Sequence, residues 1–291
     1  MERGGADLHL HSRHSDGADS PAALVERAAA CGLEAISLTD HDTVKGVPEA
    51  QAAGASLGIR VLTGAELSAD FFGHEVHLLA YGFDPAAASL LDLMQRWRDE
   101  RESRVSRMVG RLHELDIPLT LDQVKMKAGK ASLGRPHLAD ALLELKVVST
   151  LQEAFDRYLN PGRPAYIARP QMPLESVKLA THAASGVLVL AHPHLNLSSG
   201  NIRSLVQAGI DGLEVFHPKL KGSQRRELSS LAEEAGILVT GGTDFHGEGR
   251  GHARMGSVRV ALDVVDRIEA VAATRGSGAA ERRSGSTGEN A

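Results

Sequence analysis

Ala6-Asp7-Leu8-His9-Leu10-His11-Ser12-Arg13-His14-Ser15-Asp16 is the stretch from which the rest of the chain can be read. Successive side chains of a β-strand point to opposite faces, so His9 and His11 project from the same side. A carboxylate, Asp16, follows five residues after His11. Two imidazoles at a strand end with a carboxylate in the next loop can open a metal site.

Working outward, strand-like and helical segments alternate. Ser20-Pro21 opens a helix that Gly32 stops, with Ser20 as N-cap and Pro21 at the first helical position. Ala35–Thr39 reads as a second strand running into Asp40-His41-Asp42, Arg60–Glu66 as a third and Glu75–Tyr81 as a fourth. The rhythm then breaks, because residues 85–165 read as helical and charged. It returns with strands at 186–191, 212–216 and 236–241, separated by helices. The expectation is an α/β fold, a barrel of about seven parallel strands. Its two parts, 6–84 and 166–275, are interrupted by a helical insertion at 85–165 that covers the active site, and 276–291 reads as a disordered tail.

Composition narrows the function. The 291 residues are 42% hydrophobic but only 3% aromatic, enough for a large aliphatic core. A formal charge of −5 argues against coating long nucleic acid by bulk electrostatics. Cys31 is the single cysteine, which excludes an internal disulfide and fits a reducing compartment. No apolar run reaches the ~18 residues of a membrane span, and Met1–Gly5 has no signal-peptide core. The expected location is the cytoplasm, with neither a membrane nor an obligate protein partner.

Functional residues of a parallel β/α barrel collect at the carboxyl ends of its strands. Those positions hold His9 and His11, Asp40-His41-Asp42, Glu66, His192-Pro193-His194, His217 and Asp244-Phe245-His246, with His77 inside strand four. So many strand ends converging on imidazole and carboxylate point to a polynuclear metal centre. Without a thiolate, such ligands suit manganese, iron or zinc better than magnesium. A strongly positive site of this kind favours a phosphate ester, whose hydrolysis divalent ions promote by activating water and neutralising phosphoryl oxygens. Asp40 and Asp42 flank His41 and are candidates to orient imidazoles. Asp40 and His217 are counted as catalytic candidates, His217 as proton donor or substrate contact.

The motifs Asp7-Leu8-His9-Leu10-His11-Ser12, Thr39-Asp40-His41-Asp42, Gly64-Ala65-Glu66, Ala191-His192-Pro193 and Thr243-Asp244-Phe245-His246 together resemble the PHP (polymerase and histidinol phosphatase) family of metal-dependent phosphoesterases. The resemblance implies a distorted (β/α)7 barrel with two or three divalent ions at its mouth, manganese ahead of iron or zinc. It implies that His9, His11, Glu66 and Asp244 hold one ion. Glu66 bridges to a second, completed by His77 and His192, and Asp16, His41 and His246 hold a third.

In the insertion, a long helix over about 90–115 places Met94, Trp97, Val105, Met108, Leu112 and Leu115 on one stripe, with Arg101 inside it and Arg104 at its edge. Gly134-Arg135-Pro136-His137 and Gly162-Arg163-Pro164 place arginines in turns that can present a planar fork to phosphate. The insertion with Gly-Arg-Pro-His resembles the PHP branch that acts on nucleoside 3′,5′-bisphosphates or trims short 5′-phosphorylated RNA. That resemblance implies a small phosphorylated nucleotide or short oligonucleotide as substrate. Arg135, Arg163 and Arg101 then hold a phosphate that does not react. Some relatives carry Arg after Ala-His-Pro where this chain has His194, leaving His194 a candidate substrate contact. Two alternatives stay open: a phosphatase for a non-nucleotide monoester such as histidinol phosphate, and a non-catalytic metal-binding module.

Overall fold

The structure is a computed structural model that describes residues 4–129, 133–169, 172–195, 197–249 and 253–285. It divides into two compact units, one made of Met1–Leu93 with Met172–Ala291 and the other of Met94–Gln171.

In chain order, the elements before the division are β1 (Ala6–Leu10), α1 (Pro21–Cys31), β2 (Ala35–Leu38), α2 (Val47–Leu57), β3 (Arg60–Phe71) and β4 (His74–Tyr81). Next come α3 (Ala88–His113), in which the division falls, then α4 (Leu121–Ala128), α5 (Arg135–Glu144) and α6 (Leu151–Ala154). The first unit resumes with α7 (Leu174–Ala183), β5 (Val187–Leu190), α8 (Ser199–Gln207), β6 (Gly212–Phe216), α9 (Gly222–Ala235), β7 (Leu238–Gly241) and α10 (Leu262–Gly285). No helix among the described residues is long and apolar enough to cross a membrane.

The first unit is a distorted α/β barrel whose seven strands follow the order β1 to β7. No regular ladder joins β7 to β1. Instead the segment after β7 bonds to β1, His11 N–H donating to Phe245 O (2.9 Å) and Phe245 N–H to His9 O (3.3 Å). The sequence reading of parallel strands needs one correction, since β4 is antiparallel to both β3 and β5. The cause is local: β3 and β4 are separated by Phe72-Gly73 alone, at φ 51° and 79°. Two consecutive positive φ values make a tight hairpin, whereas a parallel return needs a dozen or more residues.

α1 starts and stops as its sequence dictates: Ser20 Oγ accepts the Ala23 N–H, and Gly32 ends the helix at φ 76°. Aliphatic side chains of β1, β4 and β5 pack with Val264, Val265 and Ile268 of α10 into one core cluster. α10 runs on past Gly276, where the sequence reading began a disordered tail, and the helix formers Ala279-Ala280-Glu281-Arg282-Arg283 account for the extension. Residues 286–291 of that tail lie outside the described residues.

A polar clamp fixes α10 to the sheet. Asp211 accepts hydrogen bonds from Leu188 N–H (2.8 Å), His182 Nε2 (2.9 Å) and Arg275 Nη1 (3.0 Å). Burial pushes its carboxyl up, but these donors outweigh burial and the net direction is down. A depressed folded value means that this stabilisation is present above the unfolded carboxylate range and is lost as pH falls through the folded value. Asp211→Asn is expected to cost about 2 kcal/mol in urea unfolding at neutral pH. The difference from wild type should shrink on acidification.

The second unit has its own core, in which Met108 and Leu112 of α3 meet Leu138 and Leu142 of α5, with Leu159 beside them. Of the expected stripe, Leu115 lies beyond the helix and is exposed, while Met94, Trp97, Val105, Met108 and Leu112 are buried. Arg104 rather than Arg101 is the buried cation. Its Nε–H donates to Ile167 O (2.8 Å) and its guanidinium lies over Tyr166. An arginine can bury its stem where its head finds a carbonyl and a ring face, so the stripe's edge was no guide to exposure.

Candidate metal centre

β1 delivers the first two candidate ligands. His9 and His11, two residues apart, are both fully buried on one face of the strand. The following loop is folded by Asp40, which accepts hydrogen bonds from Ser12 N–H (2.7 Å), Ser12 Oγ (2.6 Å) and Ser15 Oγ (2.6 Å). Gly17 completes the loop, since a Cβ there would lie 2.1 Å from His11 O. Asp16 is thereby brought 3.6 Å from His11 Nδ1 and 3.2 Å from His246 Nε2. The bonds that Asp40, a catalytic candidate by sequence, makes here are to this loop.

His41 follows β2, and its backbone is held beside β3 by Asp42 N–H donating to Glu66 O (2.9 Å). Glu66 lies within β3 rather than at its end. On β4, His77 stands opposite Ser68, two residues beyond Glu66, and so shares Glu66's face. The antiparallel direction of β4 thus explains why His77 lies inside its strand rather than at its carboxyl end.

Glu66 is the hub. Its Oε1 lies 2.9 Å from His77 Nδ1 and 3.2 Å from His192 Nε2. Its Oε2 lies 3.3 Å from His9 Nε2, 3.1 Å from His11 Nε2 and 3.3 Å from His41 Nδ1. Asp244 Oδ1 is 3.5 Å from each of His9 Nε2 and His11 Nε2. Among the described residues, three groups have potential ligand atoms within 4.8 Å of one another: His11, Asp16, His41 and His246; His9, His11 and Asp244; and His41, Glu66 and His77. Eight of the nine ligands expected from the sequence fall in these groups, and the ninth, His192, joins the same cluster through Glu66 Oε1. Within it, His11 belongs to two groups and His41 stands between Asp16 and Glu66.

Some ring nitrogens of the cluster approach carboxylates without forming a hydrogen bond. His11 has no hydrogen-bond partner at either ring nitrogen, nor has His41 at Nδ1, despite the short approaches to carboxylate oxygens. Atoms that aim at a common point rather than along each other's lone pairs are arranged for an ion. The charge balance agrees. Burial lowers both His9 and His11, but Glu214, Glu66 and Asp244 reverse the direction for His9, while Asp244, Glu66 and Asp16 push His11 up to about 10. His41 is pulled down to about 3, chiefly by burial. Burial raises Asp16, Glu66 and Asp244, yet the neighbouring imidazoles hold all three well below the usual carboxylate range. Such imidazole–carboxylate groups fit divalent metal ions.

Positive φ concentrates here as well: Asp42 has φ 51°, His192 30° and Asp244 54°. For residues other than glycine these conformations are strained, and surrounding bonds must hold them. Asp7 supplies one such hold, accepting from Thr243 N–H (2.9 Å), Thr243 Oγ1 (2.6 Å) and Gly256 N–H (3.0 Å).

His217 is fully buried, with Nε2 3.6 Å from Asp244 Oδ2 and without a hydrogen-bond partner. Its Nδ1 accepts the Lys219 N–H at 3.3 Å, which assigns the ring proton of a neutral imidazole to Nε2. His194 stands apart from the three groups, its Nε2 3.5 Å from Glu227 Oε2. Arg101, Arg135 and Arg163 belong to the second unit. There Arg135 lies over the rings of Phe155 and Tyr166, Arg101 lies over Trp97, and Arg163 is exposed.

Sequence reasoning missed Glu214. It is fully buried in the middle of β6, 2.9 Å from His9 Nδ1, and its carboxylate accepts the His192 N–H at 2.7 Å. A charged residue inside the aliphatic run Gly212-Leu213-Glu214-Val215-Phe216 was the available signal.

Comparison with known proteins agrees with this geometry. The PHP domain matches residues 7–117. A 5′-3′ exoribonuclease of Haemophilus influenzae is 34% identical over 82% of this chain and 89% of its own length. A 3′,5′-nucleoside bisphosphate phosphatase of Chromobacterium violaceum is 32% identical over 86% of this chain and 90% of its own. A crystal structure of a proposed metal-dependent phosphoesterase from Bifidobacterium adolescentis superposes with a TM-score of 0.78 at 34% identity, covering 93% of this chain and 97% of that one. With its motifs gathered in one cluster and relatives matched over most of their length, the chain belongs to the PHP family of metal-dependent phosphoesterases.

Proposed function

We propose that this protein hydrolyses a phosphate ester of a small nucleotide, chiefly a nucleoside 3′,5′-bisphosphate, using two or three divalent ions with manganese foremost. The observation that carries the reading is the Glu66 carboxylate, whose Oε1 faces His77 and His192 while Oε2 faces His9, His11 and His41. One carboxylate offering each oxygen to a separate set of imidazoles suits a bridge between two ions. In this reading His9, His11 and Asp244 complete one ion, His77 and His192 a second, and Asp16, His41 and His246 hold a third. Divalent ions at these positions supply activated water and neutralise charge on the phosphoryl oxygens.

The chain's own groups do the rest. Asp40 holds the Ser12–Asp16 loop in shape, and His217 Nε2 carries a proton for the leaving oxygen. Arg135, with Arg101 and Arg163, is assigned to the phosphate that does not react. Binding a remote phosphate converts recognition of the bisphosphate into rate.

Incubation of the Mn²⁺-loaded protein with adenosine 3′,5′-bisphosphate should release phosphate well above a His9→Ala control, and equal release from the two overturns this substrate. The 34% identity to a 5′-3′ exoribonuclease supports a second reading, trimming of short 5′-phosphorylated RNA from its 5′ end. A ladder of shortened products from such an RNA would favour it. Faster turnover of histidinol phosphate than of any nucleotide in the same panel would move the assignment to a non-nucleotide monoester.

A further inference from the structure

Glu214 is a carboxylate buried in the middle of β6, between β5 and β7, and no surface role accounts for it. Burying an ionised carboxylate is costly unless it is fully hydrogen-bonded. It uses one oxygen on each of two neighbours. Oε1 takes the His9 Nδ1–H at 2.9 Å, and Oε2 takes the His192 backbone N–H at 2.7 Å.

Each bond aims a side chain. In a neutral His9 ring, the proton held on Nδ1 leaves Nε2 as the free ligand atom, 3.3 Å from Glu66 Oε2 and 3.5 Å from Asp244 Oδ1. The His192 N–H is anchored where the backbone is strained, at φ 30°, and its side chain then reaches Glu66 Oε1 at 3.2 Å. The two rings stack 5.9 Å apart, at 21° between planes. Glu66 thus meets His9 and His192 from the front with its two oxygens, while Glu214 holds them from behind with its own two.

We propose that Glu214 is a positioning residue that couples the two ions sharing Glu66, fixing His9 for one and His192 for the other through its paired hydrogen bonds. This rests on the metal-site reading above. The isosteric Glu214→Gln is the discriminating change. Glutamine has one acceptor oxygen where glutamate has two, so its amide group must face either the His9 Nδ1–H or the His192 N–H. The remaining oxygen can serve only one contact, and even that bond loses its ionised acceptor, so both ligands are loosened.

The test is metal binding, read by elemental analysis and by titration of metal-free protein with Mn²⁺ and Co²⁺. Wild type is expected to take up at least two ions. E214Q is expected to weaken two of them together, by about 10–100-fold each, and to change the visible spectrum of the Co²⁺ form. His77→Gln, which touches one ion only, is expected to weaken one. Should E214Q fail to fold, Glu214→Asp keeps both acceptors but sets them back by a methylene, and the same paired weakening is expected. Wild type that binds fewer than two ions overturns the metal reading itself. Wild type with two ions, beside a folded Glu214 variant that loses affinity for only one or for none, overturns the coupling and leaves the metal reading standing.

Discussion

Glu66→Gln is expected to lower kcat/KM by about 10³-fold or more and to leave the purified protein depleted of tightly bound metal. Glutamine keeps the volume of glutamate within β3 but removes the one negative charge that five imidazoles face. In the proposed centre that charge serves two ions, so its loss weakens both and removes transition-state stabilisation worth about 4 kcal/mol or more. The fold is expected to persist, because β3 is held by its ladders to β2 and β4 and not by the Glu66 side chain. Three measurements check this: metal content, phosphate release and the far-UV circular dichroism of the metal-free variant. An E66Q protein with wild-type metal content and a tenth or more of wild-type activity would show that Glu66 is not a bridging ligand.

The hub also shows what a sequence can and cannot disclose. Most candidate ligands were legible because they belong to short stretches with their own signals: alternating histidines in β1, an Asp-His-Asp turn after β2, and an Asp-Phe-His turn after β7. A census of strand ends collects such residues without knowing any distance. The same census overlooks a residue in mid-strand, so Glu214 passed unnoticed although it touches two expected ligands. The direction of β4 was recoverable, since too few residues separate it from β3 for a crossover helix. What Asp40 does was not, because its partners Ser12 and Ser15 are met only when the β1 loop folds across β2. Likewise, helical periodicity ranked Arg101 and Arg104 by angle alone. The buried member was decided by a carbonyl and a ring more than 60 residues away in sequence.

His217→Gln is expected to separate two kinds of substrate. The lone partner of His217 Nδ1 is a backbone N–H, so the proton of the neutral ring sits on Nε2, which looks toward Asp244 from a fully buried position. A proton so placed is useful to a leaving alkoxide, the oxygen freed when a ribose phosphate ester breaks, whose own basicity makes unassisted departure slow. Loss of such a general acid costs about 10²–10⁴-fold in rate. It costs little when the leaving group is a weak base that departs without a proton. H217Q should therefore turn over adenosine 3′,5′-bisphosphate at least 100-fold more slowly than wild type, yet hydrolyse p-nitrophenyl phosphate at nearly the wild-type rate with unchanged metal content. Equal losses on both substrates would mean that His217 holds the phosphoryl group or a metal ligand in place. No loss on either would mean that the proton reaches the leaving oxygen from solvent. Only the split between the two substrates identifies Nε2 as the donor, because a general defect in folding or metal binding moves both rates together.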